Sequence, residues 1–214
     1  MRKAALICMA AVLTLAGCCG SSSSTNPGVS TFPTGTILGV VGISGIGATT
    51  NFGFDLGTVI GDKYYFTDRN NAAVDVFSTG PVVQLLAQIK GTGANAFAGN
   101  TGDNGTSGPD GINAVGNLIY AGDVNSVKII DPVAQTIIKT ITVGNAGKRA
   151  DEGCVDPGHN LFMISSPEAP VPFASIINTA TQTLVATILF NDAAGAPSAG
   201  LRNAVTTRAP TRST

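Results

Sequence analysis

The chain repeats itself at an interval of a little over forty residues, and this repetition constrains its fold more than any other feature. The clearest copy runs from Gly108 to Gly144, and a second runs from Asp151 to Ile188. Their second apolar runs begin 43 positions apart, at Leu118 and Leu161. A looser copy, Asp62 to Ile89, comes before them, and a Gly- and Asn-rich insertion near Gly99–Ser107 accounts for its larger offset. A fixed period of this length indicates repeated structural units that stack on one another.

Each repeat contains four short apolar runs rich in β-branched and aromatic residues, and the runs end at Gly, Asp, Asn or Pro. This pattern is typical of short strands joined by tight turns. Asp131 and Asn178 occupy equivalent places between the third and fourth runs, where such side chains start turns. A lone four-stranded sheet leaves a face uncovered, so the units must cover one another. The sequence therefore predicts an all-β fold of the β-propeller type.

Three segments of the clearest copy resemble a known family of repeats. Gly108–Ile112, Gly116–Tyr120 and Val127–Pro132 are similar to the repeats of NHL and YVTN-type β-propellers, and the likeness extends over about residues 50–201. The resemblance implies a propeller architecture. It does not imply one activity, because this superfamily includes binding proteins, scaffolds, lactonases and dehydrogenases.

The predicted ring is incomplete. Residues 34–201 are expected to form a partial propeller of about three to four blades, each with four antiparallel strands. A fourth repeat should begin at Ser198–Leu201, but 202–214 holds three arginines and Val205 as its only larger aliphatic residue. We interpret 202–214 as a disordered, frame-shifted tail of a truncated propeller; the alternative is a natural disordered tail on a short ring. An open ring exposes strand edges and an apolar face, which predicts self-association.

The beginning of the chain predicts export. Two basic residues follow Met1, and the apolar run Ala4–Leu15 comes next. These are the first two regions of a secretory signal, and the run is too short to act as a stable membrane anchor. Leu15–Cys18 resembles the lipobox of bacterial lipoproteins, in which cleavage precedes the cysteine and its thiol receives a diacylglycerol. The alternative is an ordinary signal peptide with a cysteine at this place by chance.

We therefore predict a lipoprotein signal peptide over 1–17, lipidation at Cys18 and a flexible, Ser-rich tether over 18–33. Position 19 is a cysteine rather than an aspartate, so the usual signal for retention of lipoproteins in the inner membrane is missing. The expected location is the cell envelope, at the outer membrane or the cell surface. The expected partners are the membrane, through the lipid, and an envelope protein or a small ligand.

Composition and motifs argue against some classes of function but do not identify one. Charged residues make up 12% of the chain and the net charge is -1, which argues against nucleic-acid binding, because phosphate neutralisation needs a surplus of Lys and Arg. The single histidine, His159, lies in a predicted turn, and no Cys/His cluster suggests zinc. No Gly-x-Ser-x-Gly motif occurs. No cofactor is predicted.

Superposition of the repeats brings acidic residues together. Asp110 aligns with Glu152 just before the first strand, and Asp68 aligns with Asp123 just after the second. Equivalent positions in a ring point to equivalent places, so these acids are expected at one mouth of the channel. In the lactonase-like propellers that the chain resembles, channel acids hold a divalent cation, which makes these four residues candidate metal ligands. The alternative is that they cap loops by accepting hydrogen bonds from backbone amides.

These observations favour a lipid-anchored, extracytoplasmic propeller that acts as a binding or scaffold module without catalysis. The alternative is a metal-dependent hydrolase of lactonase type that uses acids at the channel mouth. A third possibility is a purely structural surface protein.

Overall fold

The computed structural model describes residues 40–47, 51–144, 147–191 and 195. They belong to one compact unit, Ile37–Thr214. The predicted signal peptide, the tether with Cys18 and the tail 202–214 lie outside the described residues. Within the described ranges, no helix is long and apolar enough to cross a membrane.

The described residues form three four-stranded antiparallel sheets, as the repeats predict, and in each sheet the strands lie side by side in chain order. The first sheet contains β1 (Phe54–Ile60), β2 (Lys63–Asp68), β3 (Ala73–Ser78) and β4 (Leu85–Ile89). The second contains β5 (Ile112–Val115), β6 (Leu118–Asp123), β7 (Ser126–Asp131) and β8 (Thr136–Thr142). The third contains β9 (Gly153–Asp156), β10 (Leu161–Ser166), β11 (Phe173–Asn178) and β12 (Thr183–Leu189). Two short 3-10 turns, Gly93–Asn95 and Asn104–Thr106, follow β4 and precede β5 in the chain.

Consecutive sheets pack face against face. Between the first and second sheets lies a core of buried apolar side chains to which both contribute, Tyr65 and Val76 on one side and Ile119 and Ile130 on the other. A second core joins the second and third sheets. The first strands of the sheets contact one another in order, β1 with β5 and β5 with β9. Four-stranded sheets that stack in sequence with their first strands adjacent are the blades of a β-propeller, and the fold prediction is confirmed for three blades.

The hairpin between the first two strands differs in length among the blades. In blades 1 and 2 it turns through Gly61 and Gly116, each with a φ of 60°, a left-handed conformation that glycine adopts without steric cost. In blade 3 the turn is four residues long, 157–160. The extra residues change the spacing between equivalent positions of the first and second strands.

One structurally equivalent position of the third strand holds an acid, a base and a hydroxyl residue in blades 1, 2 and 3. Asp75, Lys128 and Ser175 lie opposite equivalent residues of the second strands, and all three are buried. Lys128 Nζ lies 3.7 Å from Asp123 Oδ2. Burial, reinforced by the charge of Asp68, raises the pKa of Asp75 to about 7. The blades therefore share a backbone but differ in the charge that they bury.

Candidate functional site

Three aspartates, one from each blade, meet where the first strands begin. Asp55, Asp110 and Asp151 each place a carboxylate oxygen within 4.8 Å of the other two; we call them the axial aspartates. The backbones of Asp110 and Asp151 are equivalent, whereas the Asp55 amide donates to the Thr67 side-chain oxygen at 3.1 Å. The Asp110 amide donates to the Gly122 carbonyl at 2.9 Å, and the Asp151 amide donates to the Ser165 carbonyl at 2.8 Å. Gly122 and Ser165 occupy the same place in β6 and β10, so the fold itself brings these carboxylates together.

The structure corrects the sequence alignment of Asp110 with Glu152. The turn before β10 has four residues, whereas the turn before β6 has two, and this difference moves the register of the first strand. Asp151 is therefore the equivalent of Asp110, and the Glu152 carbonyl instead accepts a hydrogen bond from the Ser165 amide at 3.0 Å. Of the four residues predicted as ligands, Asp110 alone belongs to the axial aspartates.

The other two predicted ligands that the alignment paired, Asp68 and Asp123, bond to loops. Asp68 Oδ1 accepts from the Asn71 amide at 2.9 Å, and its Oδ2 accepts from the Asn71 side chain at 2.6 Å. Asp123 Oδ1 accepts from the Ala98 amide at 3.1 Å. These are the loop-capping contacts that the alternative interpretation expects.

Two arginines join the axial aspartates from loops that sequence analysis did not single out. Arg69, in the β2–β3 turn, forms an ion pair with Asp110 Oδ1. Arg149, just before β9, places Nη1 3.3 Å from the same oxygen and Nη2 2.8 Å from Asp151 Oδ2. Glu168, in the β10–β11 turn, holds Arg149 Nη2 at 3.0 Å. This chain of ion pairs links all three blades at one end.

Burial governs the electrostatics of the site. It raises the pKa of Asp110 to about 8, although Arg69 and Arg149 oppose the rise. It also raises the pKa of Asp151 to about 7, against the opposing charge of Arg149. The Oδ2 atoms of Asp110 and Asp55 are buried and have no hydrogen-bond partner in the part of the chain that the structure describes. A buried, unpaired carboxylate oxygen is costly, and a proton or a cation would supply the missing partner.

The Gly/Asn-rich insertion covers this site. Arg69 Nη1 donates to the Asn104 side chain, and the Arg149 amide donates to the Gly105 carbonyl at 2.9 Å. Asp103 stabilises the insertion from within, because its Oδ1 accepts from the Gly105 amide at 3.0 Å. The insertion, with the two arginines, encloses Asp110, which is 0% exposed.

His159 and Cys154 lie apart from this chemistry. His159 is in the β9–β10 turn, at the end of blade 3 opposite the axial aspartates, with its side chain 77% exposed and its Nδ1 2.7 Å from Asp156 Oδ2. Cys154 is a buried residue of β9, and burial raises the pKa of its thiol. Neither residue is placed to act on a ligand at the axial aspartates.

No protein family and no curated protein matches the sequence. The structure is similar to hydrazine synthase from Kuenenia stuttgartiensis, with a TM-score of 0.47 and 15% identity over 60% of this chain and 34% of that one. It is also similar to a europium-containing methanol dehydrogenase, with a TM-score of 0.49 and 10% identity over 64% of this chain and 24% of that one. The chain thus spans about a third or less of each, and the propeller assignment rests on the sheets and their packing.

Proposed function

We propose that the protein is a lipid-anchored β-propeller of the cell envelope that acts as a binding or scaffold module. The observation that carries this proposal is the chain of ion pairs from Arg69 through Asp110 and Arg149 to Glu168. It fixes charged groups from three blades on rigid elements at one end of the fold. The arginines and Asp110 are buried, so their role is to hold the loops around them in place. Loops that are ordered before they meet a ligand lose less entropy on binding. Lipid anchoring is supported by the Leu15–Cys18 motif and the Ser-rich segment that follows it.

Substitution of Cys18 by alanine tests the anchor. The acyl chains supply the membrane affinity, because each buried methylene contributes about 0.8 kcal/mol. We expect the wild-type chain, expressed in a bacterial host, to enter the detergent phase in Triton X-114 partitioning and to incorporate labelled palmitate. Cys18→Ala should lose the label and shift to the aqueous phase. Cys19→Ala is the matched control and should behave as wild type. Labelling of Cys18→Ala would contradict the proposal.

A metal-dependent hydrolase of lactonase type is the second candidate, and the axial aspartates favour it. Three carboxylates and Glu168 surround two arginines, so the ionised cluster carries two uncompensated negative charges, which a divalent cation would balance. Carboxylate oxygens are the ligands that calcium prefers. Asp55, Asp110 and Asp151 would hold the ion, which would polarise a substrate carbonyl as a Lewis acid.

Calcium titration separates the two candidates. If the second holds, calorimetry of the full chain should show one calcium ion bound, and saturating calcium should raise the melting temperature by several degrees. Asp55→Asn should abolish both effects, because it removes a charged ligand whose Oδ2 is otherwise unpaired. Asp62→Asn, at a side chain 91% exposed, is the control. No calcium binding to the wild-type chain would exclude a hydrolase that uses calcium at the axial aspartates.

A further inference from the structure

Each blade has two faces that play different parts in the stacking. We call the face that packs on the preceding blade the backward face and the other the forward face. Blades 2 and 3 bury their backward faces at equivalent positions, which their identical cross-strand pairing defines. These buried residues are Ile119, Ala121 and Ile130 in blade 2 and Phe162, Ile164 and Ile177 in blade 3, all 0% exposed.

The backward face of blade 1 is apolar apart from the buried Asp75, and it is partly open. Its Tyr64 pairs with Phe77 across β2 and β3, as Ile119 pairs with Ile130 in blade 2. Val59, the partner of Tyr64 in β1, is 55% exposed. A cavity of about 410 Å³ lies on this face. Its lining includes Val41, Ile43, Tyr64, Phe66 and Phe77. No sheet of the described residues covers it.

The forward face of blade 3 is the kind of surface that packs on a backward face elsewhere in the chain. In blade 2 the forward face includes Tyr120, Ile129 and Ile141, which are buried against blade 3. The residues at the same positions in blade 3 are Met163, Ile176 and Ile188. Ile188 pairs with Ala174 on this face and is 47% exposed. Within the described ranges, no further sheet packs on this face.

We propose that a second copy of this chain covers both faces. The forward face of blade 3 in each copy packs on the backward face of blade 1 in the other, and two such contacts close a ring of six blades. The interface would continue the one already made twice within the chain, between blades 1 and 2 and between blades 2 and 3. A head-to-tail contact of this kind forms a closed ring when its rotation closes, and six blades lie within the four to eight that propellers use.

The chain itself argues for a second copy as the occupant. Tyr65 and Val76 of blade 1 already fit the backward face of blade 2, and Tyr120 and Ile129 already fit that of blade 3. Met163 and Ile176 occupy the same positions on the forward face of blade 3. They therefore fit the backward face of another blade of this kind, and blade 1 has such a face. This inference goes beyond the proposed function and does not depend on lipidation or on a metal.

Two charge substitutions test the proposal on the full chain, purified in detergent if it is recovered with membranes. Val59→Glu places a carboxylate on the backward face of blade 1, and Ile188→Glu places one on the forward face of blade 3. Both sites are about half exposed within one chain, so the fold should survive, and circular dichroism checks this. Val133→Glu, at a side chain 91% exposed in a turn, is the control.

Sedimentation equilibrium should show wild-type and Val133→Glu chains as dimers at micromolar concentration. Each interface variant alone should raise the dimer dissociation constant by about 100-fold or more, because burying an unpaired charge opposes contact. An equimolar mixture of the two variants should form mixed dimers, because one of its two contacts combines the unaltered faces of both. A monomeric wild type, open filaments, an interface variant that dimerises as wild type, or a mixture that stays monomeric would overturn the proposal.

Discussion

Replacement of Arg149 by alanine should lower the free energy of unfolding by about 3–5 kcal/mol, the usual cost of removing one partner from a buried ion pair. Arg149 bonds to Asp110, Asp151 and Glu168, and its loss leaves these acids with fewer compensating charges where water is largely excluded. Urea unfolding of the full chain, followed by far-ultraviolet circular dichroism, measures the effect.

The neighbouring Lys148 provides the matched control. Its Nζ lies 4.0 Å from Asp103 and both side chains are partly exposed, so Lys148→Ala should change the unfolding free energy by less than about 0.5 kcal/mol. Arg149→Lys should restore part of the lost stability, since it keeps the charge but loses the paired donors. Equal effects of Arg149→Ala and Lys148→Ala would show that the ion-pair chain does not hold the blades together.

Replacement of Phe162 by alanine should cost about 3–5 kcal/mol, as expected for a large aromatic side chain in a core. Phe162 is 0% exposed and packs edge-on against Tyr120 of the preceding blade, with ring centroids 5.2 Å apart. The cavity left behind would lie between two sheets rather than within one, so urea unfolding reports directly on stacking. Val133→Ala, at an exposed turn, should stay within about 0.5 kcal/mol of wild type. An equally small loss for Phe162→Ala would refute the packing of blade 2 on blade 3.

The sequence was sufficient to predict the blades because strands and turns leave local signals. Apolar runs that end at Gly, Asp or Asn recur in register, as Leu118 and Leu161 illustrate, and each became the start of a second strand. The Gly/Asn-rich insertion also stood out, since it breaks the period. The position of this insertion over the axial aspartates could not be predicted, because the composition of a loop does not indicate which part of the fold the loop contacts.

The site was predicted in part. Acids at equivalent positions were the right signal, and Asp110 was found by it. Asp151 was missed because the turn between the first and second strands is two residues longer in blade 3, so the period measured on the second strands does not hold for the first strands. Asp55 was missed because the first copy was aligned only from Asp62 onward, after its first strand. Counting outward from each second strand along its antiparallel pairing would have found both. Arg69 and Arg149 lie in loops, where no periodic pattern predicts the direction of a side chain.

The position shared by Asp75, Lys128 and Ser175 has a consequence for how the blades are arranged. Lys128 Nζ donates at 3.0 Å to the Ala94 carbonyl, which lies outside the blade. If blade 1 took the place of blade 2, the acid Asp75 would face that carbonyl in place of the cation. Mismatched charges of this kind penalise wrong neighbours more than they reward correct ones. The different polar groups that the blades bury can thus keep duplicated units with nearly identical backbones in one order along the chain. Shuffled or domain-swapped assemblies of the same blades are disfavoured.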